Sequence, residues 1–156
     1  MAQKIIVLAI GNDIIGDDGA AFAAVNILKC QFTDIKFEFV YGSGLEILDM
    51  IEGYSKALVL DTISTGCCLP GTILEFEKSD FQYSVACSPH YMGLSEVLKL
   101  AALMEIEFPD EVKVLAIEIK PQNLIMEDLT PDIKEKLYDF IKKAEEILVN
   151  WKNEKH

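Results

Sequence analysis

Long apolar runs are missing from this 156-residue chain. The longest are strand-length, so nothing in the sequence reads as membrane-spanning. Positive charge is also scarce: 14 basic residues stand against 26 acidic ones, for a net charge of −12. A surface of that sign repels phosphate backbones, which removes nucleic acid from the expected partners. It would suit a basic partner or a metal cation, and solubility alone also accounts for it. Histidine is nearly absent. Of the two, His156 is the last residue, so any imidazole chemistry falls to His90. Cysteine is sparse and unpatterned. Cys30, Cys67, Cys68 and Cys87 form no C-x-x-C pair, and Cys67 and Cys68 are too close for an easy structural disulfide. The reading is a reduced protein whose cysteines serve as small apolar residues. At the N-terminus, Gly11-Asn12-Asp13 interrupts the apolar run after Ile10, leaving no signal-length core, and a cytoplasmic location is expected.

What is present is a soluble globular composition, 51% hydrophobic and 26% charged, over a length that fits one domain spanning residues 1–156. Residues 4–10 are a near-continuous apolar run, the mark of a strand covered on both faces. They lead into Gly11-Asn12-Asp13-Ile14-Ile15-Gly16-Asp17-Asp18-Gly19, a glycine-rich loop that carries carboxylates where a phosphate-binding loop would carry amides and a lysine. Ala21, Ala24, Val25 and Leu28 then share one helical face. Ile35, Phe37 and Phe39 alternate with charged residues as a half-exposed strand. A turn at Gly42-Ser43-Gly44 precedes a short helix from Leu45 to Ile51, with Leu45, Leu48 and Ile51 inward. The run Ala57-Leu58-Val59-Leu60 is a third strand ending on Asp61, followed by a loop from Ile63 to Pro70. Thr72 to Phe76 reads as a strand, and the polar stretch from Glu77 to Val85 has no assignable state. A helix from about Gly93 carries Leu94, Val97, Leu98 and Ala101 on one face. Val112 to Ile119 is the last strand, and Glu118 late in it reads either as a carboxylate supporting the site or, in preference, as a solvent-facing strand residue. Thr130-Pro131 starts a final helix with Ile133, Leu137, Phe140, Ile141, Ala144, Leu148 and Trp151 in register. Strands alternating with helices predict an α/β fold, a three-layer α/β/α sandwich on a mostly parallel twisted sheet.

In such a sheet the loops at the carboxyl ends of the strands share one edge. Asp17 and Asp18 follow the first strand, Asp61 ends the third, and His90 precedes a helix on what should be the same edge. Taken alone, Asp18 also reads as an N-cap, Asp61 as a carboxylate fixing a loop amide, and His90 as a hydrogen-bonding residue at a helix start. Together they predict an open divalent-metal site whose mixed oxygen and nitrogen donors suit nickel, manganese, iron or zinc. Cys87 reads as buried, and Cys67-Cys68 carries no assigned role.

Two families resemble parts of this pattern. A receiver-type signalling domain places an acidic pair after strand one, a phosphoacceptor aspartate after strand three, and later Ser and Lys-Pro. Asp17-Asp18, Asp61, Ser88 and Lys120-Pro121 would take those places, with Asp61 as the acceptor. Six residues between Ile10 and Asp17 count against it, as does the absence of any use for Gly11-Asn12 or Ser88-Pro89-His90. The fuller resemblance is to the hydrogenase maturation proteases. It rests on Gly11-Asn12, Gly16-Asp17-Asp18-Gly19, Asp61 in Val-Leu-Asp, and Ser88-Pro89-His90-Tyr91-Met92-Gly93-Leu94. Pro70-Gly71-Thr72 and Leu129-Thr130-Pro131 extend it nearly end to end. The sequence departs from that family's pattern in having Ala9-Ile10-Gly11-Asn12 where Gly-x-Gly-Asn is frequent, and a shortened Tyr41-Gly42-Ser43-Gly44 loop. The resemblance implies an endopeptidase that trims the C-terminal extension of a nickel–iron hydrogenase large-subunit precursor. It further implies that the enzyme senses nickel already held by that substrate through Asp18, Asp61 and His90. The chemistry of these residues makes Asp18 and Asp61 the catalytic candidates, with the choice of base between them open, and Asp17 beside Asp18 would tune or orient it by like-charge coupling. A monomer that touches neither membrane nor nucleic acid is expected.

Overall fold

The computed structural model describes residues 3–41, 45–81, 101, 103–121 and 125–154. In chain order these form β1 (Ile5–Ile10), a 3-10 turn (Gly16–Gly19), α1 (Ala20–Gln31), β2 (Lys36–Val40), α2 (Leu45–Ile51), β3 (Lys56–Ile63), β4 (Ile73–Glu77), a second 3-10 turn (Lys78–Phe81), β5 (Glu111–Glu118) and α3 (Pro131–Asn153). The expected turn at residues 42–44, the helix beginning near Gly93, and Cys87 and His90 lie outside the described residues.

The sheet runs β2-β1-β3-β5-β4. Its first four strands are mutually parallel, and β4 closes the edge antiparallel to β5. The three-layer arrangement follows from strand alternation. Ile5, Val7 and Ala9 face α1 and α3 in one core, while Ile6 and Leu8, with Val40 of β2, face Ile47 and Ile51 of α2 in the other. Ala21, Ala24, Val25 and Leu28 of α1 are all fully buried, as their spacing predicts. Small side chains at these positions let the helix approach the sheet closely. Along α3, Phe140, Leu148 and Trp151 are buried, each contributing roughly 1.5–3 kcal/mol by leaving water.

At the amino end of the strands, Lys56 closes this layer. Its ammonium pairs with Glu111 at 3.0 Å and with Glu154, while Trp151 Nε1 donates to Glu111 Oε1 at 2.8 Å. Burial works against the Lys56 charge, but the carboxylates outweigh it and raise its pKa. Among the described residues no helix is long and apolar enough to cross a membrane.

Several local expectations are corrected. β3 continues through Asp61 to Ile63 rather than ending there, because β5 pairs with it along its whole length, Asp61 opposite Ala116 and Ile63 opposite Glu118. Cys30 and Cys67 are exposed and Cys68 is half-buried, so these cysteines do not act as apolar filler. Thr130 precedes Pro131 at the helix start, yet its side chain makes no capping bond; it is engaged by the first loop instead.

Candidate active site

Strand order places β1 and β3 side by side while the chain leaves β1 for β2 on the opposite flank. The crevice at the carboxyl ends of such a pair is where open α/β sheets hold their sites. The loop after β1 fills it with a tightly folded backbone. Asn12 N–H donates to the Asp18 carbonyl at 3.2 Å, and Asn12 Oδ1 accepts the Ile14 N–H at 3.2 Å. Only glycine fits at position 11, since a Cβ there would lie 2.1 Å from the Asp18 carbonyl oxygen. The far side of the loop is pinned to the chain near Met126: Gly16 N–H donates to the Met126 carbonyl at 2.6 Å, and Met126 N–H to that of Ile14 at 3.0 Å.

This fold sends the neighbouring aspartates in different directions. Asp17 is 2% exposed and accepts the Thr130 N–H at Oδ1 (2.6 Å) and the Thr130 hydroxyl at Oδ2 (2.8 Å). It therefore joins the first loop to the start of α3, where a negative charge is also favoured by the helix dipole. Asp18 is half-buried and faces β3, where the Thr62 hydroxyl donates to its Oδ1 at 2.6 Å. The helix behind it has Gly19 at its N-cap with no side-chain cap, so Asp18 is not spent on capping.

Thr62 also serves the second aspartate. Its backbone N–H donates to Asp61 Oδ1 at 2.7 Å. One residue thus holds one oxygen of each carboxylate, and among the described residues no donor reaches the other oxygen of either. Asp61 is 4% exposed. Burial pushes its carboxyl up to about 8, against the Thr62 amide, which pulls it down, and with a further push from the nearby Asp18 charge. At neutral pH Asp61 therefore keeps its proton.

Glu118 also departs from its preferred outward-facing reading. Its place near the end of β5 suggests an outward-facing residue, but it is 1% exposed. Its Oε1 accepts the N–H groups of Thr65 (2.8 Å) and Gly66 (2.9 Å), and the Thr65 hydroxyl lies 3.0 and 2.9 Å from its two oxygens. Glu118 thus fixes the loop that follows Asp61 and Thr62. Thr62 is not picked out by sequence reasoning, and Glu118 takes the less favoured of its two readings, a carboxylate supporting the site. The available signal is a Thr directly after a strand-end Asp, and an acidic residue closing an otherwise apolar strand.

Of the three residues expected to share a metal, Asp18 and Asp61 meet at Thr62, and His90 lies outside the described residues. Among the described residues, no three His, Cys, Asp or Glu side chains come together as a metal-holding group. The donors present do suit a cation shared with another ligand source, since each carboxylate has an oxygen unclaimed by these residues. In the receiver reading Asp17 would belong to the acidic pair; its attachment to Thr130 leaves it structural.

Residues 42–151 match the family model described as hydrogenase maturation protease. Asp61 falls within that span, whereas the Asp18 loop precedes it. No curated protein sequence matches the chain at a significant level. Among solved structures, the hydrogenase maturating endopeptidase HybD from E. coli superposes with a TM-score of 0.78 at 20% identity, covering 95% of this chain and 93% of its own. The [NiFe] hydrogenase maturation protease HybD from Thermococcus kodakarensis gives 0.74 at 24% identity, with coverage of 93% and 99%. HycI from Thermococcus kodakarensis KOD1, also a [NiFe] hydrogenase maturation protease, gives 0.64 at 18% identity, with coverage of 94% and 92%. At these identities the structural likeness speaks for the fold, and the family-model match carries the assignment. The chain belongs to the hydrogenase maturation proteases and is itself a protease.

Proposed function

We propose that this protein removes the C-terminal extension of the large-subunit precursor of a nickel–iron hydrogenase, and that it recognises nickel already held by that precursor through Asp18, Asp61 and His90. The observation that supports this reading best is the pair of carboxylates joined by Thr62 at the carboxyl edge of β1 and β3. Nickel belongs here to the substrate. When presented, it supplies positive charge beside two carboxylates, and His90 would add an imidazole donor of the kind nickel accepts.

The chain's own residues then divide the work. Asp18, half-buried and aligned by the Thr62 hydroxyl, is placed to take a proton from the attacking water. The water oxygen bonds to the scissile carbonyl carbon, the carbon–nitrogen bond breaks, and the proton passes to the leaving amine. Asp61 holds its proton at neutral pH in a buried site, so a cation drawn toward it must first displace that proton. This makes Asp61 a sensor: it becomes negative only when the substrate brings metal. Asp17 and Glu118 position the two loops and do not touch the reacting atoms.

Replacing Asp18 by Asn or His90 by Ala tests the assignment of roles. Each variant should leave the precursor untrimmed in co-expression while retaining the wild-type circular dichroism spectrum. Full trimming by a folded Asp18→Asn variant would remove Asp18 from the chemistry.

A further inference from the structure

Beside the acidic loop, on the flank away from β3, lies a groove of about 330 Å³ that the catalytic reading does not use. Buried Gly16, Gly19 and Phe22 line it, with Phe39 and Tyr41 along β2 and its end, and Asp13 and Glu127 on its exposed side. Its volume lies at the low end of the range for small-molecule sites, enough to admit one long side chain.

Its chemistry is specific in sign. Both charged side chains lining it are carboxylates, and neither has a basic partner among the described residues. The rings form a cluster in which Phe22 packs perpendicular to Phe39 at 5.0 Å and to Tyr41 at 4.8 Å. Tyr41 is 64% exposed, so its ring is open to an incoming group. A cation already visits this cluster, because the Lys29 ammonium lies 5.5 Å from the centre of the Phe39 ring. Acidic groups beside exposed aromatic rings favour an ammonium or guanidinium with an aliphatic stem. An acidic side chain would meet repulsion there, and an uncharged one would leave the carboxylates unused.

We infer that this groove binds a lysine or arginine side chain of the polypeptide substrate, holding it against Tyr41 between Asp13 and Glu127. The inference rests on the proposed processing role, since the groove shares its loop with Asp18 and reaches Leu129, next to the Thr130 that Asp17 holds. The groove and the carboxylate pair are thus connected through one loop.

The test is an amide chemical-shift titration of the full chain with N-acetyl-arginine amide and N-acetyl-lysine amide. N-acetyl-norleucine amide and N-acetyl-glutamate amide serve as apolar and acidic probes. The two cationic probes should shift the amides of Gly16, Gly19, Ala23 and Tyr41, and bind at least about fivefold more tightly than norleucine. The Asp13→Asn/Glu127→Gln double variant should lose that preference, a change of about 2- to 30-fold for two exposed pairs. Equal binding of norleucine, shifts that fall elsewhere, or an unchanged preference in the double variant would overturn the assignment. Peptide cleavage is not needed for this readout, so a failed groove and a failed processing role would be seen separately.

Discussion

Asp61→Asn is the most informative single substitution, because it removes a buried titrating group while keeping a side-chain oxygen to accept the Thr62 N–H. The Asp61 carboxyl is raised from 3.8 to about 8 by burial. Below pH 3.8 it is protonated in both folded and unfolded chains and contributes no slope. Between 3.8 and about 8 the unfolded chain has released a proton that the folded chain keeps, so stability declines as pH rises. Above that window the loss is complete. A displacement of about 4 units at about 1.4 kcal/mol each gives a decline on the order of 5 kcal/mol, a large share of a domain's usual stability. The assay is urea unfolding of wild type and Asp61→Asn from pH 4 to pH 9, taken as a difference so that other titrating groups cancel. The variant should gain on wild type steadily as pH rises and be the more stable protein at pH 8. Parallel curves would refute the buried, protonated Asp61 and with it the proposed sensing role.

Three further substitutions probe the supporting structure. Thr62→Val should slow trimming about 10- to 100-fold while costing about 1 kcal/mol in unfolding free energy, and Thr62→Ser should restore the rate; precursor mass against time checks both. Gly11→Ala forces a methyl group against the Asp18 carbonyl oxygen, 2.1 Å away, and should destabilise by about 2–3 kcal/mol in denaturant melts. Glu118→Ala strips the Thr65 and Gly66 N–H groups of their acceptor, and should cost about 2–4 kcal/mol and speed hydrogen exchange at those two amides.

Much of this architecture is legible in the residues, for reasons that are local. The unbroken apolar run at Ile5–Ile10, the helical face of Ala21, Ala24, Val25 and Leu28, and the long register of α3 each state their own burial. The parallel sheet then follows from strand–helix alternation, and it carries Asp18 and Asp61 to one edge. What the sequence hides depends on distant partners. Asp17 and Asp18 look alike in the chain; only the approach of Thr130, 113 positions away, turns Asp17 into a structural group. Glu118 looks outward by position until the loop at Thr65 folds over it. Thr62 lies one past the expected strand end, and nothing in its residue type says that the Asp18 carboxylate lies opposite its hydroxyl. The antiparallel direction of β4 is equally invisible, because Ile73–Glu77 alternates in the same way in either orientation.

The central claim is that proteolysis waits for nickel on the substrate. The direct measurement is the intact mass of the hydrogenase large-subunit precursor co-expressed with this protein, in nickel-replete and nickel-depleted cells. The account predicts loss of the C-terminal extension only when nickel is supplied. Trimming that proceeds equally without nickel would contradict the sensing role of Asp18, Asp61 and His90. A precursor of unchanged mass under nickel-replete conditions, with its proper partner present, would contradict the processing role itself.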